Sequence, residues 1–455
     1  MSSTVSPKRT DGPALPAWLS SAGLPTAIAS GMLAMLMISF QPFQPGGSGY
    51  VAGGNIVNQL GYGTLGAISI ASLAAFATPR VISALFSPSL LVLFGFFLLS
   101  VANSLDPSAA ARAASFTFIG ILVVATVLAI PRDADAFSTA LAVAGLATVA
   151  LSYAGLALFP NEAVHTTASA EPQHAGLWRG VFTHKNIAGP VMACLAFCGL
   201  YLFRRGRRRS GAILFAGAMI FVLNTGSKTA AGLVPVAMIV VALPGLYGVR
   251  PLVALLFWLT VAGTAVATLG IVFIDPLRHL AAQHFPDLTY TGRTTLWEFS
   301  GEMIVKRPWT GYGYESFWQT PLLENSSQPF DRDWDIRDIV HGHNGYMDIA
   351  VFMGLPALFV AAWAFLVVPV VDFLRIPRLR ENVLLGDLFM MILLFTALNA
   401  FLESFFFRRA DQVWLFFVFA VIGMRLVARF PIAGTRPAVA RPAAAAAARA
   451  GLARR

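Results

Sequence analysis

Charge is what this sequence has least of, since only 12% of its 455 residues are Asp, Glu, Lys or Arg. An average soluble domain carries about 25%. Hydrophobic residues make up 57% of the chain, and the mean hydropathy is +0.70. This balance excludes a soluble globular enzyme and predicts an integral membrane protein. Its spans must be helical, because lipid offers the backbone no hydrogen-bond partner.

Cysteine is nearly absent as well, with Cys194 and Cys198 the two in the chain. They lie four residues apart within one apolar run, which predicts small buried hydrophobic side chains rather than a disulfide or a metal pair. A complete nucleotide-binding loop is also missing. In "TGSKTA", Ser227 interrupts the required Gly-Lys-Ser/Thr order and no glycine stands at the upstream position. The sequence therefore provides neither a disulfide framework nor an ATP site.

Long apolar runs fill most of the chain and predict about twelve membrane spans. The predicted spans are 22–41, 55–77, 85–104, 113–130, 137–159, 187–203, 211–225, 229–248, 252–274, 343–373, 384–406 and 412–429. We therefore expect an all-α, polytopic membrane domain over 22–429 with one large loop at 275–342. A polar N-terminus, 1–21, precedes it, and an Ala/Pro/Arg tail, 430–455, is predicted to be disordered.

The basic residues predict the orientation of this bundle. If the N-terminus with Lys8 and Arg9 is cytoplasmic, then "RRGRRR" at 204–209, the loop at 373–380 and the tail are also cytoplasmic. Most of the 32 Lys and Arg residues then lie inside, as the positive-inside rule requires. The net charge of +10 follows from this topology, with cations against anionic lipid headgroups, and does not indicate a nucleic-acid partner.

Other cations fall on the opposite side, in polar breaks between apolar runs, where charge is costly and therefore indicates function. The break "WRGVFTHKNIAG" brings His184, Lys185 and Asn186 to the mouth of a span. The break "NTGSKTAAG" puts Lys228 near the start of the predicted span 229–248. A helix N-terminus and a lysine beside it both favour an anion. The alternative is a snorkelling cation beside a Ser or Thr cap.

The large loop is long enough to hold structure of its own. Its segment "TGRTTLWEFSGEMIVKRPW" predicts a short helix capped by Thr294 or Thr295, with Arg293 just before it. We expect the apolar side of this helix to lie on the membrane surface. That side consists of Leu296, Trp297, Met303 and Ile304. The charged segment "DRDWDIRD" at 331–338 is predicted to be a solvated loop rather than a metal site.

The stretch "VHGHNGYMDIAVFMGLPAL" sets His341 and His343 against the tenth apolar run. Metal binding would pair them with Asp338 or Asp348, although the i, i+4 spacing of a helical histidine pair is absent. A structural cap is a second interpretation. A general base is the third, since a neutral imidazole with an unperturbed pKa of about 6.5 suits that role. The residue types alone leave all three open.

Several of these motifs together resemble one family. "HNGYMDIAVFMGLPA" resembles the histidine motif of the bacterial O-antigen ligase and polymerase superfamily, the Wzy-C type, in which His-Asn is followed by Gly-x-x-Gly. Gly354 keeps the first glycine, and Ala357 replaces the second. "TGRTTLW" and "RPWTGYGYESF" resemble motifs of the family's periplasmic loop, and "NTGSKTA" resembles its Ser-Arg-Thr motif with Lys228 in place of arginine. The resemblance spans roughly 175–420.

The family resemblance implies a glycosyltransferase of the bacterial inner membrane that takes its glycan from undecaprenyl diphosphate at the periplasmic face. It implies His343 as the general base and Arg293 and Lys228 as the residues that hold the diphosphate. It also implies substrate contacts at Lys185, His184, Asn186, Asn344, Arg408, Arg409 and His341. No cofactor or metal is implied. The implied partners are the lipid-linked oligosaccharide, membrane lipids and other polysaccharide assembly or export proteins.

Three functions remain open on the sequence alone. "GVFTHKNIAG", "HGHNGYMD" and "LNAFLESFFFRRADQVW" look most similar to exopolysaccharide polymerases of the succinoglycan (ExoQ) type. An O-antigen ligase that joins the glycan to lipid A-core would use the same chemistry with another acceptor. A transporter of polyprenyl-linked sugars is the third, but it predicts charges near the membrane midplane and broken helices in related halves, which the sequence lacks.

Overall fold

The computed structural model describes residues 23–44, 55–168, 171–246, 248–284, 288–290, 292–325 and 335–434. The predicted N-terminal segment 1–21 and the tail beyond residue 434 lie outside these ranges. Within the described ranges the chain is helical, and β pairing is limited to one isolated bridge between Val164 and Trp178. The prediction of an all-α membrane protein is confirmed.

Proline begins many of the helices, at first-turn positions whose missing N–H is not needed for helical hydrogen bonds. The α-helices are α1 Gly23–Ile38, α2 Ile56–Phe76, α3 Pro79–Leu85, α4 Pro88–Ala102, α5 Pro107–Ala129, α6 Ala134–Leu158, α7 Pro160–Ala163, α8 Lys185–Arg205, α9 Arg208–Asn224, α10 Lys228–Ala237, α11 Leu243–Leu246, α12 Arg250–Ala265, α13 Ile271–Phe273, α14 Asp275–Ala282, α15 Arg293–Lys306, α16 Pro321–Glu324, α17 Gly345–Met353, α18 Leu355–Ala362, α19 Val368–Arg375, α20 Arg380–Asn399 and α21 Gln412–Arg429. The π-helical turns Met238–Ala242, Val266–Gly270 and Trp363–Val367 continue α10, α12 and α18, and the 3-10 turns are Pro172–His174 and Ile336–Asp338.

Among the described residues, nine helical stretches are long and apolar enough to cross a membrane, or ten if α3 and α4, bent by 56°, form one span. The predicted span 343–373 is divided at Gly354, and the predicted span 384–406 ends as a helix at Asn399. Gly354 has a φ of +86°, and a Cβ there would lie 2.4 Å from the carbonyl oxygen of Trp309. The division therefore requires glycine.

The centre of the bundle is α20, which packs against α8 and α21. A Cβ on Gly199 of α8 would lie 2.5 Å from the backbone nitrogen of Phe215, so small residues bring α8 and α9 into backbone contact. Cys194 and Cys198 are free and buried in α8, as predicted. Large apolar side chains on the outer helices are exposed, as lipid-facing surfaces require. Examples are Ile70, Leu99, Leu223, Ile239 and Leu259.

The polar residues concentrate at the two ends of the bundle. One end, here the basic end, carries residues 204–209, 250, 375–380 and 429, and there Arg205 bonds both Asp135 and Glu381. The other end, here the site end, carries residues 160–168, 171–184, 224–228, 275–284, 288–290, 292–325, 335–342 and 400–411. Its segments are tied together by hydrogen bonds such as Gly345 N–H to Ala400 O at 2.8 Å. His341 and His343 therefore lie at the end of the bundle opposite to the arginines of 204–209.

The helix predicted in the large loop exists as α15, but two details of the prediction are wrong. Neither threonine caps it, because α15 begins at Arg293, directly after a left-handed Gly292, with no side-chain cap. Nor does its apolar side lie on the membrane surface. Leu296 and Trp297 are fully buried in a second core with Phe317 and Val351. The loop's own aromatic residues cover this side, so the helix packs on α17 instead of on lipid.

Candidate active site

His341 and His343 lie on a tight turn that leads into α17. His343 has a φ of +50°, a left-handed conformation that is uncommon for a residue with a side chain. The preceding peptide is held from both sides, since Gly342 N–H donates to Asp348 Oδ1 at 3.2 Å and Gly342 O accepts from Trp297 Nε1 at 3.1 Å. The surrounding structure thus holds the His343 backbone in its unusual geometry.

Asn344 connects this histidine turn to the turn that follows α20. Its Oδ1 accepts from the backbone N–H groups of Tyr346 and Met347, each at 3.1 Å, and so caps α17. Its Nδ2 donates to Phe401 O at 3.1 Å, and its backbone N–H donates to Ser404 Oγ at 3.0 Å. Asn344 is fully buried. The structure therefore places it beneath the site as an anchor, not facing a substrate hydroxyl.

Glu403, which the sequence analysis did not select, brings three predicted site residues together. Its Oε1 accepts from Arg293 Nη2 at 2.7 Å and from Asn186 Nδ2 at 3.3 Å, and its Oε2 lies 3.3 Å from His343 Nδ1. Burial raises the pKa of this carboxyl, but the hydrogen bond with His343 and the charge of Arg293 outweigh burial and lower the pKa to about 2. Glu403 is therefore ionised at neutral pH.

A sequence signal for Glu403 was present. It is the acidic residue of "LNAFLESFFF", within the predicted span 384–406. A carboxylate inside a predicted span is itself an indication of function, because an uncompensated charge is costly there. The prediction followed the basic residues and did not apply the same rule to acidic ones.

The predicted cations Lys185, Lys228 and Arg293 are the first residues of α8, α10 and α15, respectively. The starts of α8 and α10 are close, since a Cβ on Gly189 would lie 2.9 Å from Ser227 Cβ. The charge of the buried Lys185 interacts with those of Glu403, Arg293 and Lys228. Three positive helix ends and three cations therefore share one region, an arrangement that favours an anion.

His184 lies at the edge of this region, in a cluster with Glu171 and His174. Its Nε2 is 2.6 Å from Glu171 Oε2, and His174 Nε2 is 3.5 Å from the same oxygen. These three are the one group of His, Cys and acidic side chains among the described residues with metal-like proximity. However, His184 Nδ1 accepts the N–H of Asn186 at 3.1 Å and caps α8.

A neutral imidazole has only one nitrogen without a proton. Because Nδ1 of His184 accepts a hydrogen bond, Nε2 carries the proton and donates it to Glu171. A metal at Nε2 would displace that proton and break the cap. The donor set therefore fits a hydrogen-bonded cluster rather than a metal centre. Asp348, the other acid considered with the histidines, is already bound to Trp318 Nε1 at 3.0 Å and to Gly342.

Of the remaining predicted site residues, His341 and Arg408 lie near His343, whereas Arg409 lies on the exposed surface. His341 is beside His343, with ring centroids 4.2 Å apart, and its Nδ1 accepts from His343 N–H at 3.3 Å. Burial, followed by the nearby charges of His343 and Arg408, lowers the pKa of His341 well below its usual value. Arg408 is therefore close to the site. Arg409 is more than half exposed and faces Glu315 at 3.5 Å, away from the histidines.

These features define a multi-pass α-helical membrane protein with a histidine, a carboxylate and several cations gathered at one end. Residues 212–362 match the family model Wzy_C, described as O-antigen ligase. The match confirms the predicted resemblance to the O-antigen ligase and polymerase superfamily, and it contains Lys228, Arg293 and His343. The family supports an enzyme of ligase or polymerase type in a bacterial membrane, and it implies a lipid-linked oligosaccharide as the substrate. A search of curated proteins gave no match. The finer resemblance to exopolysaccharide polymerases stays a prediction.

Proposed function

We propose that this protein transfers a glycan from undecaprenyl diphosphate to a sugar hydroxyl and thereby polymerises the repeats of an exopolysaccharide. One observation carries the proposal: Glu403 joins His343 to Arg293 and Asn186. A base and a group of cations at adjacent positions are what transfer from a lipid diphosphate requires.

The reaction needs one proton acceptor and stabilisation of one leaving group. His343 takes the proton from the acceptor hydroxyl while that oxygen attacks the anomeric carbon of the donor. The bond between the anomeric carbon and the diphosphate oxygen breaks, and the lipid diphosphate leaves with the electron pair. Arg293, Lys228 and Lys185 stabilise the negative charge that develops on it. The proton on His343 then passes to the departing diphosphate or to water, which restores the base.

The hydrogen bonds favour His343 over His341 as the base. His341 Nδ1 accepts from the backbone N–H of His343. Its Nε2 therefore carries the proton of the neutral ring and is a donor. To act as a base, His341 would have to give up the bond that shapes the turn. His343 Nδ1 instead faces the carboxylate of Glu403, at 3.3 Å from Oε2.

The proposed orientation puts both termini in the cytoplasm and the site end in the periplasm of the inner membrane. Its support is the position of the cations, because the arginines at 204–209 and 375–380 gather at the end opposite to His343. The positive-inside rule assigns that basic end to the cytoplasm. A flipped lipid-linked sugar would then meet His343 at the outer leaflet.

A ligase that transfers the glycan to lipid A-core is the second candidate. The description of the matching family model, O-antigen ligase, favours it. The donor, the base and the cations would be the same, and only the acceptor hydroxyl would differ.

Reconstitution tests the proposal. The purified protein is placed in vesicles with an undecaprenyl-diphosphate oligosaccharide, with and without lipid A-core, and the products are measured by mass. We expect a ladder of repeats without lipid A-core, formed at least about 10²-fold more slowly by His343→Ala. The matched control is His279→Ala, which removes an exposed imidazole from α14 and is expected to keep wild-type activity.

Each other outcome changes the assignment. Transfer that occurs only with lipid A-core makes the protein a ligase. Loss of activity in His341→Ala, with activity kept in His343→Ala, moves the base to His341. Movement of the lipid across the membrane, with no glycan transferred from any matched donor, contradicts the enzyme and supports a transporter.

A further inference from the structure

We propose that Glu403 is the positioning residue of this site, which fixes both the protonated nitrogen and the orientation of the His343 ring. The proposal rests on the function of His343 as the base. It assigns a role to a side chain that lies outside the segment 212–362 matched by the family model.

The hydrogen bonds determine the tautomer of His343. An ionised carboxylate only accepts hydrogen bonds, so the ring nitrogen that faces it must be the donor. Nδ1 of His343 is that nitrogen, 3.3 Å from Glu403 Oε2. The neutral ring has one proton, which therefore lies on Nδ1, and the lone pair that accepts a proton is on Nε2. This is the form that a general base needs.

Backbone hydrogen bonds hold the His343 ring and the Glu403 carboxylate next to each other. The histidine turn and the Glu403 turn are joined by Asn344 N–H to Ser404 Oγ at 3.0 Å and by Gly345 N–H to both Ala400 O and Glu403 O. A Cβ on Gly345 would lie 2.8 Å from the ring of Phe406, so the two turns approach as closely as glycine permits. The ring and the carboxylate are therefore held by neighbouring, mutually bonded turns.

The same carboxylate also holds Arg293, through Oε1 at 2.7 Å. When His343 takes a proton, the ring becomes a cation, and the charge of Glu403 stabilises it at the distance already present. Arg293 is expected to face the leaving diphosphate. One carboxylate thus sets the spacing between the base and a cation that stabilises the leaving group, which a 1 Å displacement would disturb.

A purely structural role, in which Glu403 only balances the charge of Arg293, is the competing explanation. Glu403→Gln separates the two. Its amide oxygen still accepts from Arg293, but its NH₂ group can face Nδ1 of His343 as a donor, and the ring is then free to take the other tautomer. If Glu403 only balanced the charge of Arg293, the tautomer of His343 would be the same in Glu403→Gln as in the wild type.

The first measurement is the ¹⁵N spectrum of the full-length protein labelled in its histidine rings, with the His343 signal assigned by its absence in His343→Ala. In the wild type we expect Nδ1 of His343 to be protonated and Nε2 to be unprotonated. In Glu403→Gln we expect a shift toward the tautomer protonated on Nε2. A wild-type His343 protonated on Nε2 would overturn the proposal even if the variant failed to fold. This measurement needs no substrate, so it stands apart from the proposed function.

The second measurement is the transfer assay on the same variants. Glu403→Gln is expected to lower kcat by about 10²-fold to 10⁴-fold, with the KM of the lipid donor changed less than about threefold, as for the loss of a carboxylate that orients a histidine base. The matched control, Glu298→Gln, removes an exposed carboxylate paired with Arg278 at 2.7 Å and is expected to keep wild-type kinetics.

Undiminished kcat in Glu403→Gln, or reduced kcat with an unchanged His343 tautomer, would contradict the positioning role. An inactive wild type whose His343 has the expected tautomer would contradict the proposed function alone.

Discussion

The two ends of the bundle treat positive charge differently. At the basic end, Arg204 pairs with Asp387 at 2.8 Å, Arg205 pairs with Glu381 at 2.8 Å, and Arg429 lies 3.4 Å from Asp372. At the site end, Lys185 and Lys228 begin two helices, and among the described residues no carboxylate lies within salt-bridge distance of either. The positive ends of the helix dipoles add to their charge.

We interpret this difference as a division between charges that serve folding and charges that serve binding. A buried charge is tolerated when a partner of opposite sign offsets the cost of removing it from water. The basic end supplies those partners from its own helices. At the site end, the carboxylates whose charges act on Lys185 are Glu403 and Glu171, and these already pair with Arg293 and His184. We infer that a bound anion would balance the remaining positive charge. A diphosphate on a lipid is an anion of the required kind.

The largest effect is expected when an ion pair at the basic end is broken. Arg205→Met removes the partner that Glu381 and Asp135 share. Glu381 keeps Arg380 at 3.1 Å and Asp135 keeps Arg207 at 3.5 Å, so we expect a loss of about 3 kcal/mol in the free energy of unfolding, the lower end of the cost of breaking a buried pair. Thermal unfolding in detergent measures it. Arg208→Met, at an exposed position on the same turn, is the control with little expected change. Equal stability of the two variants would show that the basic end does not depend on its ion pairs.

The contrast between the two ends also marks what could be predicted from the sequence. Hydropathy located the helices, because burial in lipid requires continuous apolar runs whatever the tertiary packing. It did not locate the ends of 343–373 and 384–406, because Gly354 and the turn after Asn399 are determined by contacts with distant segments. The cations of the proposed site stand out in the sequence as exceptions to an apolar background.

The connections between those residues were not predictable in the same way. Glu403 meets Asn186 across 217 positions and Arg293 across 110, and neither spacing follows a helical period. The placement of α15 failed for a similar reason. Its apolar side indicated burial, but the sequence did not show whether lipid or the loop's own aromatic residues would cover it.

The second largest effect is expected when a cation is removed from the site end. Lys185→Met removes a buried cation that has no carboxylate at salt-bridge distance among the described residues, so we expect no loss in the free energy of unfolding. Glycan transfer should fall about 10²-fold, because one stabilising charge at the leaving group is lost. Lys185→Arg keeps the charge and should retain most of the activity. A variant that loses stability but keeps its rate per folded molecule would place Lys185 with the charges that serve folding.

The smallest effect concerns two adjacent arginines that the sequence treats alike. Arg408 Nη1 donates to Ser404 O at 3.3 Å, and the arginine charge acts on His341 and Asp348, so Arg408→Gln should lower the transfer rate about tenfold. Both arginines are exposed, but Arg409 pairs with Glu315 across 3.5 Å, an arrangement that water and salt largely screen. Arg409→Gln should therefore change the rate less than about twofold at physiological ionic strength. If the two variants lose activity equally, the site end extends to the exposed surface beside Glu315, and the boundary between its binding charges and ordinary surface charges must be moved outward.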